Sequence, residues 1–146
     1  YNASDLCVFS GEFSSARAAL VFAAAKGIDL SDVDFSGMDF SGVELRDIDF
    51  SRSKFTNCNL SGAQFDSCRF NGATFNVDFT AADFCNSTFI SCDLTDASMS
   101  RTNLTMNKFT ECNFTRANLK NAAIEDCKFY KCENVILVDE PEYTRY

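Results

Sequence analysis

The feature that most constrains this chain is a large apolar residue at every fifth position. These centres run from Leu30 to Phe75, and after one interval of four residues they resume at Phe79 and continue to Phe129. The series contains 21 units, and 13 of the 16 Phe residues are unit centres. A period of five fits neither an α-helix nor an isolated strand, which repeat about every 3.6 and 2.0 residues. Self-similarity at a fixed period instead predicts a solenoid.

The residues around each centre indicate how such a unit folds. Two positions before the centre the residue is usually small or apolar, as at Val33, Ala63 and Cys92, and Asn107 is the clearest exception. The other three positions are polar, mostly Asp, Asn, Ser and Thr. Two inward and three outward side chains per unit require one corner per unit, so four units close a coil of about 20 residues. Such coils stack through parallel backbone hydrogen bonds about 4.8 Å apart.

The units resemble the pentapeptide-repeat family, whose motif is a tandem A(D/N)LXX. The motif stands here as Val33-Asp34-Phe35-Ser36-Gly37, Ala82-Asp83-Phe84, Cys112-Asn113-Phe114-Thr115-Arg116 and Ala117-Asn118-Leu119-Lys120-Asn121. The resemblance implies an all-β fold, the family's right-handed quadrilateral parallel β-helix, here with about five coils. The handedness follows from the resemblance alone.

Stacking the coils predicts four interior columns and three segments of chain. Residues 1–27 are predicted to form an N-terminal cap, with a helix over about 15–26 that begins at Ser14 or Ser15 and ends at Gly27. Residues 28–131 form the β-helix, with a one-residue slip near residue 76, and residues 132–146 form a C-terminal cap strand and tail. The aromatic core consists of Phe35, Phe50, Phe55, Phe70, Phe75, Phe89, Phe109, Phe114 and Phe129.

The charge of the chain limits its partners. Its 21 acidic and 13 basic residues give a net charge of −8. This balance argues against direct nucleic-acid binding, which favours a basic surface, and against adsorption to anionic membranes. No apolar run is long enough for a membrane span.

Cysteine usage predicts packing rather than a metal or disulfide framework. Of the eight Cys, those at inward positions are Cys58, Cys68, Cys92, Cys112, Cys127 and Cys132. They replace Ala, Val or Ser there, which is typical of small hydrophobic residues in a reducing, cytoplasmic protein. The chain has no His and no CxxC pair, so no metal and no cofactor is predicted. Cys92, Cys112 and Cys132 should stack in one column, as a packing ladder or, alternatively, as a redox or thiophilic-metal site.

The functional prediction is a non-enzymatic protein-interaction solenoid that presents flat polar faces and an acidic N-terminal end to a protein partner. It acts as a monomer or weak dimer. The candidate partner-binding residues are Asp29, Asp32, Asp34, Asp39, Glu44, Asp47 and Asp49. The resemblance supplies an alternative, since the family includes fluoroquinolone-resistance proteins that protect DNA gyrase by imitating DNA. A third possibility is a β-helical domain of a larger bacterial effector. No catalytic constellation is present, which predicts no enzymatic activity.

Overall fold

The computed structural model of the chain describes residues 15–137, which wind into a quadrilateral parallel β-helix. The remainder of the predicted N-terminal cap and C-terminal tail lies outside the described residues. We name the four sides by their stacked centres. Side A contains Leu30, Phe50, Phe70, Phe89, Phe109 and Phe129; side B contains Phe35, Phe55, Phe75, Leu94 and Phe114; side C contains Phe40, Leu60, Phe79, Met99 and Leu119; and side D contains Leu45, Phe65, Phe84, Leu104 and Ile124.

One helix covers the start of the solenoid. Helix α1 spans Ala16–Ala25, within the range predicted from the sequence. The Ser15 hydroxyl accepts a hydrogen bond from the Ala18 amide at 3.1 Å and caps its N-terminus. The buried face of α1, which includes Leu20, packs against the first coil. The helix therefore shields apolar core that a solenoid end would otherwise expose.

The coils pair in parallel and in register. Where a side is extended enough, three-residue strands form: β1 (Glu44–Arg46) and β2 (Gln64–Asp66) on side D, and β3 (Thr88–Ile90), β4 (Lys108–Thr110) and β5 (Lys128–Tyr130) on side A. Elsewhere each unit contributes a single parallel bridge, such as Asp34 to Lys54. The strands are short because every unit ends in a corner.

Every described corner except the one between Phe75 and Phe79 contains one residue in the left-handed backbone region, two positions after the centre. Glycine occupies four of these corners, at Gly37, Gly42, Gly62 and Gly72. From residue 81 to residue 131 every such corner is occupied by another residue type, including Arg101 and Met106. A side chain in this conformation destabilises the fold by roughly 1–2 kcal/mol, except that Asn and Asp tolerate it better.

The interval of four residues between Phe75 and Phe79 removes one of these corner residues. No described residue between the two centres has a positive φ, and Val77 takes the buried inward position. The register between coils falls from 20 residues (Lys54 to Thr74) to 19 (Asn59 to Asp78), and it returns to 20 at Asp78 to Ser98. The slip thus shortens one coil while all four columns stay aligned.

The unit centres fill the interior as stacked rings. The ring centroids of Phe50 and Phe70 are 5.4 Å apart, and those of Phe70 and Phe89 are 4.9 Å apart. Every Phe of the predicted core is buried except Phe129, which is half-buried in the last coil. The core is therefore continuous along the rod and becomes exposed only near its C-terminal end.

The inward Cys, Ser and Thr side chains also donate hydrogen bonds. Eight of them are directed at the carbonyl oxygen of the centre 22 or 23 residues earlier. Examples are Ser53 Oγ to Leu30 at 2.8 Å, Cys58 Sγ to Phe35 at 2.7 Å and Thr102 Oγ1 to Phe79 at 3.0 Å. The inward cysteines are thus donors as well as small apolar groups, a role that the sequence pattern alone did not indicate.

The C-terminal cap strand predicted over residues 132–146 is not formed in the described residues 132–137. Glu133 makes the last bridge, to Asn113, and residues 135–137 are not extended in a sheet. Val135 packs partly on the core, whereas Ile136 and Leu137 are 63% and 51% exposed. The reason is that Asn134 occupies the position of the next centre with a φ of +56°, so no apolar side chain anchors another unit.

Candidate interaction surfaces

The acidic residues predicted to bind a partner encircle the first two coils instead of lining one face. Asp29 and Asp49 lie on side A, and Asp34, Asp39 and Glu44 lie on sides B, C and D. Asp32 and Asp47 are at the corners that follow sides A and D. The fold therefore places the seven carboxylates at one end of the rod but not in one plane.

Four of these carboxylates hold the corners in shape. Asp29 Oδ1 accepts hydrogen bonds from the Ser31 amide at 2.9 Å and the Ser31 hydroxyl at 2.7 Å. Asp34, Asp39 and Asp49 each accept from the amide two residues on, at 3.0, 3.0 and 2.9 Å. In Asp29 and Asp34 the bonds to the following serine lower the carboxyl pKa, because they favour the charged form. These side chains therefore have a structural role that the sequence analysis did not assign to them.

Ion pairs between coils neutralise part of the remaining charge. The Arg52 guanidinium donates to both oxygens of Asp32 at 2.7 and 2.6 Å, and this hydrogen bonding lowers the pKa of that carboxyl. Asp49 pairs with Arg69 at 3.3 Å. Within residues 15–137, Glu44 and Asp47 are exposed and make no ion pair. They are the two candidates whose charge is most available to a partner.

The charge on side A changes sign along the rod. The residues just before its centres form one outward row, which reads Asp29, Asp49, Arg69, Thr88, Lys108 and Lys128. All of them are exposed except Thr88, which is partly buried. Side A is thus acidic at the end predicted from the sequence and basic at its other end.

The basic region also contains exposed apolar side chains. Ile90 on β3 is 40% exposed and Tyr130 on β5 is 60% exposed, and both occupy the outward position after a centre. Most other units have Ser, Thr or Asn there. Lys131 Nζ lies 5.2 Å from the centroid of the Tyr130 ring. This surface is not among those predicted from the sequence, although two apolar residues at a polar repeat position indicate it.

The depressions on the described surface are shallow and lined by outward side chains. One, of about 400 Å³, lies on side D between Arg46, Asp66 and Cys85. Another, of about 580 Å³, lies at the C-terminal end between Met106, Lys108 and Asp126. Both are open to solvent. Their geometry suits contact with another macromolecule better than enclosure of a small substrate.

Burial makes two of the inward cysteines, Cys58 and Cys68, unreactive. Burial raises the pKa of the Cys58 and Cys68 thiols to about 11, so both are protonated near neutral pH and are poor nucleophiles. Within residues 15–137 all cysteines are free. The same part of the chain has no cluster of three or more His, Cys, Asp or Glu residues that could hold a metal ion.

The described residues also include no helix with the length and hydropathy needed to cross a bilayer.

Two family models match the chain in adjoining regions. The model described as "Pentapeptide repeat region" matches residues 67–135. The model described as "Pentapeptide repeats (8 copies)" matches residues 16–57 and 34–72. Together they extend over the whole β-helix, including the slip. Among curated proteins, none is significantly similar to this chain.

Solved structures of related architecture cover most of the chain at low identity. A trypsin-treated form of QnrB1, a plasmid-mediated fluoroquinolone resistance protein, is 21% identical with a TM-score of 0.41, over 70% of this chain and 63% of that one. HetL, involved in heterocyst differentiation regulation in the cyanobacterium Nostoc, is 17% identical with a TM-score of 0.37, over 71% and 52%. A pentapeptide repeat protein from the Arabidopsis thaliana thylakoid lumen is 26% identical with a TM-score of 0.32, over 75% and 72%. The chain thus spans less than two thirds of QnrB1 and of HetL.

Proposed function

Because this chain belongs to the pentapeptide-repeat family, we propose that it is a non-enzymatic solenoid that binds a protein partner through its outer surface. The observation that supports this most directly is that inward and outward positions of each unit have different roles. Two residues fill the interior and three face outward, so within residues 15–137 stacked rings occupy the space inside the coils. The surface is a set of narrow polar sides that differ mainly in charge.

The acidic N-terminal end is the partner-binding region that we favour. Glu44 and Asp47 lie at its most accessible edge, where side D turns into side A, and neither accepts a corner hydrogen bond or ion pair within the described residues. A partner with a basic surface would be attracted to this edge, since complementary charge steers association. Asp29, Asp34, Asp39 and Asp49 add to the local field while they hold their corners.

Affinity capture with neutral variants tests this assignment. Glu44→Gln with Asp47→Asn removes two exposed charges at the acidic end without changing side-chain shape. Glu125→Gln with Asp126→Asn removes two exposed charges from side D and its corner at the other end of the rod, and serves as the matched control. We expect a partner captured by the unaltered chain and by the control to be lost with the first variant. Equal capture by both variants would move the binding region away from the acidic end.

DNA mimicry directed at gyrase is the second candidate, and the net charge of −8 is the observation that favours it. The sign change on side A argues for a different side as the mimic, because a duplex presents a continuous row of phosphates. Titrating the full chain into a gyrase supercoiling reaction, with and without a quinolone, tests the idea. Protection from the drug would support it, and no effect at micromolar protein would remove gyrase as the target.

A further inference from the structure

The outward row on side A has opposite charges at its two ends. Its first two members, Asp29 and Asp49, are acidic, and its last two, Lys108 and Lys128, are basic. Parallel pairing of Asp49 with Arg69, Arg69 with Thr88, Thr88 with Lys108 and Lys108 with Lys128 keeps the row in strict register. The midpoint falls between Arg69 and Thr88, which are the third and fourth of its six members.

We propose that side A is the interface of an antiparallel dimer formed by two copies of this chain. The two-fold axis lies between the two side A faces and runs parallel to the strands. Rotation about it keeps each residue's position along the strand and reverses its height along the rod. The row of one copy then meets the row of the other in reverse order. Asp29 faces Lys128 of the second copy, and Asp49 faces Lys108, so the contact contains four complementary charge pairs.

The exposed Ile90 provides the apolar centre that such an interface needs. It lies on the fourth rung of side A, next to the two-fold axis, at an outward position where the earlier coils have Ser31, Ser51 and Asn71. The axis places Ile90 of one copy opposite Asn71 of the other and one rung away from the second copy's Ile90, so the two isoleucines flank the axis. An apolar contact at the centre with charged pairs toward both ends is the arrangement typical of protein interfaces.

The charge order also selects the relative direction of the copies. If both rods ran the same way, Asp29 would face Asp29 and Lys128 would face Lys128, which is repulsive at every charged rung. An acidic protein of another kind could bind Lys108 and Lys128, but it would leave the acidic half of the row without a partner. A second copy satisfies both halves at once.

Sedimentation equilibrium of the full chain tests the proposal. We expect a dimer at low salt that weakens as salt is raised, because exposed charge pairs are screened. Lys108→Glu with Lys128→Glu should raise the dimer dissociation constant by about tenfold or more. Arg101→Glu with Lys120→Glu makes the same change in net charge on side C and its corner, and should leave association unchanged.

Two further variants separate loss of the interface from loss of the fold. Asp29→Asn with Asp49→Asn keeps the oxygen that accepts the Ser31 and Ser51 amides, so it removes charge without opening the corners. Ile90→Asp replaces the two apolar side chains that flank the axis with carboxylates. Both should weaken the dimer while circular dichroism and the unfolding midpoint stay close to those of the unaltered chain.

Small-angle scattering distinguishes the arrangement of the copies. A side-by-side dimer has the length of one rod and a larger cross-section, whereas an end-to-end dimer has the cross-section of one rod and about twice its length. A particle of doubled length would overturn the proposal. So would a monomer at about 100 μM chain in low salt, or a dimer with the same dissociation constant in the Lys108→Glu, Lys128→Glu variant and its side C control.

Discussion

The first two coils and the last two are built from the same unit, yet they differ in almost everything except the interior. The first coils are acidic, have Gly37, Gly42 and Gly62 at three of their corners, and are closed by α1. The last coils are basic on side A and have side chains such as Met106 at their corners, and Phe129 there is only half-buried. The comparison shows that the five-residue pattern specifies the column of rings and leaves corners, charges and ends free to vary.

The largest expected effect tests the difference in core closure. Phe70→Ala removes a ring that is stacked between Phe50 and Phe89, and it should lower the free energy of unfolding by about 3–5 kcal/mol. Phe129→Ala removes a half-buried ring and should lower it by about 1–2 kcal/mol. Urea unfolding monitored by circular dichroism measures both. Equal losses in the free energy of unfolding would mean that the core of the last coil is as well shielded from solvent as the core of the middle coils.

The helix that closes the first coil gives the next largest effect. Leu20 is 1% exposed and packs on the core, so Leu20→Ala should lower the free energy of unfolding by about 2–3 kcal/mol. Val21 is the neighbouring control, since it is 42% exposed, and Val21→Ala should change stability by less than about 0.5 kcal/mol. If the two substitutions are equivalent, α1 does not stabilise the end of the solenoid.

Exchanging the corner chemistry of the two regions should shift stability in opposite directions. Met106 is exposed with a φ of +63°, so Met106→Gly relieves backbone strain and should raise the free energy of unfolding by about 1 kcal/mol. Gly62 has a φ of +65° with no atom within 4 Å of an added Cβ, so Gly62→Ala should lower it by about 1 kcal/mol through strain alone. Thermal unfolding of the two variants checks the signs. If Met106→Gly lowers stability, the contacts of the Met106 side chain stabilise the fold by more than the backbone strain at its corner destabilises it.

The smallest effect concerns the acidic corners and depends on pH. The hydrogen bonds from Ser36 hold the pKa of Asp34 below its ordinary value of 3.8. A lowered pKa in the folded state means that the stabilisation is complete above the unfolded value and is lost as the pH falls through the folded value. Asp34→Ala should therefore lower the free energy of unfolding by about 1 kcal/mol at neutral pH.

The amide variant is the control for that prediction. Asp34→Asn keeps the acceptor and should restore most of the stability at neutral pH, with a flatter dependence below pH 4 than the unaltered chain. The measurement is the unfolding midpoint between about pH 2 and 6. An Asn variant as unstable as the Ala variant would assign the effect to charge rather than to the corner hydrogen bond.

Much of the fold could be predicted because the signal repeats. The columns that contain Phe50, Phe70 and Phe89 follow from the spacing of centres and from the single short interval, without knowledge of any contact. The strand predicted for residues 135–137 is wrong because a strand here depends on an apolar residue at the centre position and not on apolar composition alone. Asn134, a polar residue where a centre was due, is the earlier sign that the coil ends.

Less of the surface could be predicted, because it depends on the direction in which each unit faces. The seven acidic residues are close in sequence, but successive units point to different sides, so proximity in the chain did not give a common plane. The bond from Ser31 to Asp29 depends on corner geometry, which a pattern of residue types does not contain. Ile90 and Tyr130 became informative only when their side of the coil was known.

The short interval before Phe79 has a consequence for how the chain finds its register. A solenoid of equal units has many nearly equivalent pairings, in which one strand docks a full turn too early or too late and still buries aromatic rings. Because one corner lacks its left-handed residue, the turn that contains it is 19 residues long, whereas the turns before and after it are 20 residues long. The native pairing of coils therefore differs at this turn from pairings that are shifted by a full turn.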